Sequence, residues 1–410
     1  MAVPDNPVSR RRVFYIPGYD PIHPRRYREL YRKESAAQAA ISGYDIVLHA
    51  RQGGARYGWD VAASIEGSEV AASVDVLVWS DIVRDSMDTS IIGTYGQLLR
   101  TAWVYMGSGA LWRLMRLRKG PVLAALYPVL MLLGQLLLAY LAGRVSFYVI
   151  TAVLTPLLAG AASAIAVLIG LAVFIGLLRW FKAKDGKFFA YYLMHDYAYG
   201  AATRGANTPA LEARMAEFGD AIAEALADDV DEVLVVGHSS GAHLGVSVLA
   251  DLIRAGKVPK NGPALGFLSL GQVVPMVSFL ENAHRLRGDL AYLGSSDALT
   301  WVDVTAPGDG CAFALCDPVA VSGVAASDQR WPLVFSAAFT QTLSPERWKA
   351  LRWKFFRLHF QYMCAFDRPR DYDYFRITAG PQTLAARYHG RGHSRSRITA
   401  AVNKFTSIGT

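Results

Sequence analysis

Apolar residues are concentrated in the middle of the chain, where two long stretches carry no charged side chain. The first stretch is Pro121 to Gly143, and Arg144 separates it from a second stretch, residues 145–178. A helix of about 20 apolar residues crosses the hydrocarbon core of a bilayer. The pattern therefore predicts a transmembrane hairpin with spans at about 121–143 and 149–178 and a tight turn near Arg144.

On both sides of this hairpin, short apolar runs alternate with stretches that repeat apolar residues at helical spacing. Such alternation predicts a mostly parallel sheet covered by helices. The predicted strands are 13–16, 44–49, 74–79, 232–236, 266–270 and 299–304, and the predicted helices are 24–40 and 209–227. Because strands lie on both sides of the hairpin, a single sheet requires an even number of membrane crossings.

This pattern divides the chain into four parts. Residues 1–110 and 188–380 form the two halves of one α/β domain, and residues 111–187 contain the hairpin with its basic and aromatic flanks. Residues 381–410 form a tail rich in Arg, Gly and Ser, a composition that is usually solvated and flexible. The predicted fold class is α/β, with a two-helix hairpin inserted into a mostly parallel, helix-flanked sheet.

The positively charged residues are informative mainly where they flank the predicted hairpin. Lys and Arg total 42 against 34 Asp and Glu, which leaves a net charge of +8. Much of the excess flanks the apolar stretches, at Arg113, Arg116, Arg118, Lys119, Arg179, Lys182, Lys184 and Lys187. Basic flanks favour the cytoplasmic side of a membrane, so the pattern predicts cytoplasmic termini and a cytoplasmic α/β domain. It favours a lipid bilayer over nucleic acid as the partner of these basic segments.

The N-terminal residues and the small number of cysteines bear on the compartment and the cofactors of the protein. Residues 1–12 include no apolar core of a signal peptide, which predicts that the N-terminal part starts in the cytosol. Three cysteines offer no disulfide framework, and Cys311 with Cys316 falls short of a structural zinc site. The sequence predicts no metal and no organic cofactor.

Candidate chemistry lies at the end of the predicted strand 232–236. There Gly237-His238-Ser239-Ser240-Gly241 resembles the nucleophile elbow, G-x-S-x-G, of the α/β-hydrolase family. The glycines suit a sharp strand-to-helix turn, because a Cβ at either position would collide with neighbouring backbone. The resemblance implies a lipase-like or esterase-like α/β-hydrolase fold in which Ser239 is the nucleophile.

The same resemblance implies two backbone N–H donors that stabilise an oxyanion. The residue after the nucleophile supplies one of them, which in this sequence is Ser240. The loop after an earlier strand supplies the other, and residues 14–20 resemble that strand and loop. The N–H of Tyr19 is therefore the second candidate, and an ordinary strand-ending turn at Pro17-Gly18 is the alternative.

An acid is expected after the nucleophile, because the family order along the chain is Ser, then Asp or Glu, then His. Asp309 follows the predicted strand 299–304 and is the first candidate. Asp317 is the alternative acid, and Asp303 lies inside the strand, where a structural role suits it better.

The last member of such a triad is a histidine that takes the proton of the serine hydroxyl. His359, in the aromatic segment 356–362, is the candidate base, with a structural histidine packed among aromatic side chains as the alternative. His389 and His393 lie between glycines and arginines in the predicted tail and are less suited to this role. His238 and His243 flank the nucleophile, and the resemblance assigns the role of base to neither.

These features together predict a membrane-anchored serine hydrolase. Its expected substrate is an ester or thioester of a hydrophobic, lipid-like acyl group, cleaved through an acyl-serine intermediate. An acyltransferase that uses the same triad and a non-catalytic membrane scaffold that keeps the fold are the alternatives. The sequence makes no prediction about the oligomeric state.

Overall fold

A computed structural model describes residues 7–51, 53, 56–87 and 89–409 of the chain. Residues 1–6 of the predicted N-terminal part and Thr410 of the predicted tail lie outside the described residues. The described strands are β1 Arg10–Ile16, β2 Asp45–Ala50, β3 Gly58–Ile65, β4 Ser68–Val76, β5 Glu232–His238, β6 Ala264–Leu270, β7 Thr300–Thr305 and β8 Leu333–Ser336. They form one sheet in the order β2-β3-β4-β1-β5-β6-β7-β8.

The sheet is mixed. The six strands β4-β1-β5-β6-β7-β8, in their order across the sheet, are all parallel to their neighbours. The pairs β2 with β3 and β3 with β4 are antiparallel. The strands β1 and β5 lie side by side, in a register that places Ile16 opposite Gly237. An α/β fold is therefore confirmed, but the mostly parallel sheet carries an antiparallel extension that the sequence pattern does not reveal.

Two strands, β3 and β8, are missing from the predicted set, and β4 begins earlier than predicted. Burial alternates along β3, where Trp59, Val61, Ala63 and Ile65 face the core and the residues between them are more exposed. Antiparallel strands covered on one face have this alternation and lack a continuous apolar run. The strand β8 has only four residues, too few for a periodic signal.

Helices cover both faces of the sheet, and both predicted helices are present, as α1 and α8. The described helices are α1 Arg25–Ser42, α2 Ser80–Met87, α3 Ile91–Gly107, α4 Ala110–Leu117, α5 Lys119–Ala183, α6 Asp185–Phe188, α7 Ala190–Ala202, α8 Pro209–Leu226, α9 Ser240–Arg254, α10 Val274–Ser278, α11 His284–Ser295, α12 Pro318–Val321, α13 Phe339–Thr342, α14 Pro345–Leu351, α15 Phe355–His359, α16 Tyr374–Ala379 and α17 Leu384–Arg387. A 3₁₀ turn spans Gln361–Met363.

Successive side chains of the central strands pack into two different cores. On β1, Val13 and Tyr15 face a core that includes residues of α1 and α16. Phe14 and Ile16 face the opposite core, which includes residues of α8, α9 and α11. Side chains of a strand alternate between the two faces of a sheet, so the short apolar run of β1 serves both layers.

The helix α5 folds back on itself and forms the hairpin. A Cβ placed on Gly143 would lie 2.8 Å from the carbonyl oxygen of Gly170. In a straight helix these two residues would be about 40 Å apart. The arms are Lys119–Leu158 and Gly160–Ala183, and each is long and apolar enough to cross a membrane.

The position of the turn corrects the prediction. Arg144 lies within the first arm, where its guanidinium stands over the rings of Tyr140 and Tyr148 at 5.9 and 5.0 Å. Gly143 faces Gly170, so the chain reverses about midway between them, near Pro156. An arginine interrupts a run of uncharged residues but does not break a helix, because it is a good helix former.

The base of the hairpin packs against α3 and α7, which belong to the rest of the protein. The hydroxyl of Tyr95 donates a hydrogen bond to the Leu132 carbonyl at 2.9 Å, and Lys182 Nζ donates to the Thr89 carbonyl at 2.6 Å. Beyond these contacts both arms expose large apolar side chains, among them Leu133, Leu137, Leu141, Val145, Leu157 and Leu168. A helical pair with this surface suits a hydrocarbon environment.

The tail departs from the expected flexible end. The Ser394 N–H donates to the Val334 carbonyl at 3.0 Å, and His393 Nδ1 accepts from the Val334 N–H at 3.1 Å. Arg397 forms an ion pair with the buried Asp317. These contacts cover the free edge of β8, which would otherwise expose unpaired backbone groups. Composition alone does not show this docking, because the partners lie far away in the chain.

Cysteine labelling tests the position of the hairpin turn. With Cys311 and Cys364 replaced by alanine, we expect Leu157→Cys to react with a membrane-impermeant maleimide added on the side opposite the sheet. Val145→Cys should stay unreactive from both sides, because it lies 12 residues before Leu157, about 18 Å deeper in the hydrocarbon core. Residues 157 and 145 are 75% and 61% exposed, so burial within the protein does not explain the difference. The opposite pattern of reactivity would return the turn to Arg144.

Candidate active site

Ser239 occupies the sharp turn between β5 and α9. Its backbone angles are φ 57° and ψ −121°, a strained conformation for a residue other than glycine. Its N–H donates a hydrogen bond to the Leu270 carbonyl at 2.9 Å, which holds the turn against the end of β6. The strain is maintained because a fully buried strand precedes Ser239 and a packed helix follows it.

Gly237 and Gly241 occupy positions without room for a side chain. A Cβ on Gly241 would lie 2.1 Å from the carbonyl oxygen of Ile16, and one on Gly237 would lie 2.7 Å from the carbonyl oxygen of Gly241. The first contact lets the start of α9 approach the end of β1. The steric reason expected from the sequence is therefore present at both glycines.

His359 and Asp309 are brought together from different elements. His359 is the last residue of α15, Asp309 follows β7, and His359 Nδ1 lies 2.7 Å from Asp309 Oδ2. Both side chains are buried. A carboxylate at this distance keeps the proton on Nδ1 and leaves Nε2 as the basic nitrogen of the ring.

Three groups hold the Asp309 carboxylate. Besides the His359 ring, the Cys311 N–H donates to Oδ1 at 2.9 Å, and the Tyr362 hydroxyl donates to Oδ2 at 3.0 Å. Burial by itself would raise the pKa of Asp309, but the His359 ring and these hydrogen bonds outweigh it and lower the pKa below its ordinary value. Asp309 is therefore ionised at neutral pH.

His238, the residue before Ser239, packs against the ring of His359 and hydrogen-bonds to its backbone. The two imidazole rings have centroids 4.7 Å apart, and His238 Nε2 donates to the His359 carbonyl at 3.0 Å. Burial and then the neighbouring His359 lower the pKa of His238 to about 3. His238 is therefore neutral and acts through position rather than charge.

The predicted oxyanion donors lie beside Ser239. A Cβ on Gly18 would stand 3.0 Å from Ser239 Cβ and 3.5 Å from its Oγ, so the loop after β1 touches the serine side chain. Within the described chain, the N–H groups of Tyr19 and Ser240 donate to no acceptor. The Tyr19 carbonyl accepts from the Tyr192 hydroxyl at 2.6 Å, which holds this loop from the other side.

A cavity of about 970 Å³ joins these groups, and its lining includes Ser239, His359, Tyr19 and Ser240. It extends to the base of the hairpin, where Pro121 and the segment 185–189 also contribute. Among the described residues, Ser239 Oγ has no hydrogen-bond partner. Hydrogen bonds between a nucleophile and its base often close only when substrate is bound.

The alternative acid lies elsewhere. Asp317 accepts hydrogen bonds from the N–H groups of Val319 and Ala320, so it caps α12, and its other oxygen pairs with Arg397. Asp303 stays inside β7, where it accepts from the Ser269 hydroxyl at 2.6 Å. Neither carboxylate contacts His359 in the described structure.

Sequence reasoning missed three residues of this site. They are Tyr362, which contacts Asp309, Cys311, whose Sγ lies within 4.8 Å of donor atoms of Asp309 and His359, and Asp196, which lines the cavity from α7. Burial raises the pKa of Asp196 to about 7. The sequence signal for Asp196 was a single acid among the tyrosines of residues 191–199. That segment has the composition of an ordinary aromatic helix, so it did not indicate a site.

A metal could use the same cluster of Asp309, Cys311 and His359. Thiolate, imidazole and carboxylate form a donor set that suits zinc. However, burial and then the nearby Asp309 raise the pKa of the Cys311 thiol, which favours the protonated form. The imidazole and carboxylate are also bonded to each other at 2.7 Å. This arrangement fits a hydrogen-bonded pair better than a metal centre.

The fold and the site together describe an α/β protein with a candidate Ser-His-Asp constellation at the carboxyl ends of its parallel strands. No family model, curated protein or solved structure matches the chain. Any proposal about its function therefore depends on the geometry of its own residues.

Removing the Tyr362 hydroxyl tests the electrostatics of the acid. We expect Tyr362→Phe to lower the free energy of unfolding by about 1–3 kcal/mol, because a buried hydrogen-bonding group is lost. The pKa of Asp309 should rise, since one bond that favours its charged form disappears. A lowered pKa contributes stability that is lost as the pH falls from the unfolded pKa to the folded pKa. The variant should therefore lose less stability than wild type on acidification, over a narrower range that ends at a higher pH.

The measurement is the thermal unfolding midpoint as a function of pH in detergent. Tyr388→Phe is the matched control, because its hydroxyl donates to the Asp371 carbonyl at 3.3 Å and does not contact Asp309. Equal pH dependence in the two variants would contradict the assigned role of Tyr362.

Proposed function

We propose that this protein is a membrane-anchored serine hydrolase of the α/β-hydrolase type. It cleaves an ester or thioester of a hydrophobic acyl group through an acyl-Ser239 intermediate. The observation that carries the proposal is the strained Ser239 at the start of α9, which shares one cavity with the buried His359–Asp309 pair. Strained backbone of this kind is typical of functional sites.

Acylation begins when Ser239 Oγ attacks the acyl carbon and His359 Nε2 takes the hydroxyl proton. Asp309 stays ionised and stabilises the imidazolium that forms. The negative charge on the former carbonyl oxygen is stabilised by the N–H groups of Tyr19 and Ser240. As the tetrahedral intermediate collapses, the bond to the leaving oxygen or sulfur breaks and His359 returns the proton to that atom.

Deacylation repeats these steps with water as the nucleophile. His359 takes a proton from the water, the hydroxide attacks the acyl carbon, and the bond to Ser239 Oγ breaks. The proton then returns to Ser239, and a free carboxylic acid leaves. An alcohol or amine in place of water would give acyl transfer, which differs only in the acceptor.

A lipid-like substrate is supported by the shape and position of the cavity. Its volume of about 970 Å³ is at the upper end of the usual range for ligand pockets, roughly 300–1,000 Å³. Its apolar lining includes Phe189, Leu193, Met276 and Phe356, and it reaches the base of α5. Substrate can therefore enter along the hairpin from the membrane side.

The surface of α3 supports the same location. Ile92, Leu99, Trp103 and Met106 are exposed and recur at helical spacing, so they form one apolar face of the helix. Such a face suits the boundary between head groups and acyl chains. With the basic residues on both flanks of α5, it supports a hairpin in the membrane and a cytoplasmic α/β domain.

Labelling with a fluorophosphonate in native membranes tests the proposal. We expect wild-type protein to form a covalent adduct and Ser239→Ala to form none. His359→Ala and Asp309→Asn should react more slowly, by roughly 10²–10⁴-fold, because proton transfer is lost or poorly oriented. Asp317→Asn and His389→Ala are matched controls and should label at the wild-type rate after correction for expression.

A folded wild-type protein that never labels would favour a non-catalytic scaffold. Loss of labelling in Asp317→Asn but not in Asp309→Asn would move the acid to the alternative residue. Product analysis with lipid esters, with and without added alcohols or amines, then separates hydrolysis from acyl transfer.

A further inference from the structure

Six consecutive residues between α14 and the end of α15 are all exposed to solvent. The segment 352–357, here called the rim segment, consists of Arg352, Trp353, Lys354, Phe355, Phe356 and Arg357. Trp353 is 72% exposed, Phe355 48% and Phe356 37%. Three aromatic side chains in so short an exposed stretch leave apolar area that the rest of the described structure does not cover.

The charges of the rim segment are also without partners inside the described structure. Arg352, Lys354 and Arg357 form no ion pair with a described acid, and the guanidinium of Arg352 lies over the Trp353 ring at 5.5 Å. Nearby Arg347, by contrast, faces Glu34 at 3.8 Å. The segment therefore presents three positive charges together with three aromatic rings.

The rim segment lies beside both ends of the hairpin. The ring of Phe356 is 5.1 Å from that of Phe189, which follows α6 shortly after the second arm. A Cβ on Gly310 would lie 3.3 Å from the Phe355 ring, and a Cβ on Gly120 would lie 3.2 Å from the Gly310 carbonyl oxygen. Because Gly120 is the second residue of the first arm, the rim segment lies where both arms leave the sheet domain.

We propose that the rim segment docks on an anionic lipid surface. Its aromatic rings enter the interface beside the hairpin, and its three cations meet the negatively charged head groups. Charge complementarity favours an anionic surface over a zwitterionic one, and the adjoining apolar arms favour a bilayer over a soluble partner.

Docking there affects the site directly. His359 is the last residue of α15, two positions after Arg357, and Lys354, Phe356 and Arg357 line the same cavity as Ser239. A bilayer that holds the rim segment therefore also holds the helix that carries His359, and it places the mouth of the cavity at the lipid surface.

An environment-sensitive fluorophore at position 353 tests the docking without requiring catalysis. Full-length Trp353→Cys, with Cys311 and Cys364 replaced by alanine, is labelled with a nitrobenzoxadiazole dye. It is then inserted into nanodiscs of phosphatidylcholine with or without phosphatidylserine. We expect a blue-shifted, brighter emission in the anionic discs and a smaller change in the zwitterionic discs. Asp297→Cys, an exposed site at the amino ends of the parallel strands, is the matched label control and should stay water-like.

Charge removal then tests the cations. Arg352→Gln, Lys354→Gln and Arg357→Gln combined should abolish the preference for anionic discs, because each cation near an anionic leaflet changes the docking equilibrium by about fivefold, or roughly a hundredfold for three. A water-like signal at 353 in all discs overturns the proposal and favours an acidic protein partner. An equal blue shift in both discs that survives the triple substitution also overturns it, because no anionic recognition would remain. Neither result depends on whether Ser239 is catalytic.

Discussion

The parallel pairing of β1 with β5 is the contact on which the rest of this structure depends. These strands come from opposite sides of the hairpin, so their pairing requires both arms of α5 to return to the same side of the sheet domain. A buried ion pair between Arg11 and Glu232, at 2.6 Å, joins their amino ends. Arg11 also donates to the carbonyls of Gly380 and Gln382, so each of its three guanidinium nitrogens has a partner and the C-terminal part is tied to the centre of the sheet.

The carboxyl ends of the same two strands form the site. Because Ile16 lies opposite Gly237, the loop after β1 reaches the turn that carries Ser239, and the missing Cβ of Gly241 lets the two backbones touch. Parallel strands bring all their carboxyl ends to one edge, so Asp309 after β7 arrives on the same side. The strain at Ser239 is thus maintained by the packing of the whole sheet rather than by local sequence.

The hairpin and the cavity are parts of one arrangement. The cavity runs from Ser239 to the base of α5, and α3, α7 and the rim segment surround that base. Among the described residues, exposed apolar rings and cations without an ion-pair partner are concentrated there, while the amino ends of the strands face away. For the proposed hydrolase, this polarity means that the bilayer anchors the protein on the side from which a hydrophobic substrate enters.

The sequence by itself determined the features that depend on neighbouring residues. The uncharged runs around Arg144 indicated two long apolar helices, and the spacing of Gly237, Ser239 and Gly241 indicated a sharp turn, because sterics and hydrophobicity act locally. Only the tertiary structure decided that Asp309 rather than Asp317 meets His359, since both aspartates follow β7 and their partners are distant in the chain. It also decided where α5 folds back, that the tail docks on β8, and that Tyr362 and Cys311 support the acid. Each of these depends on contacts between segments far apart in sequence, which no local pattern encodes.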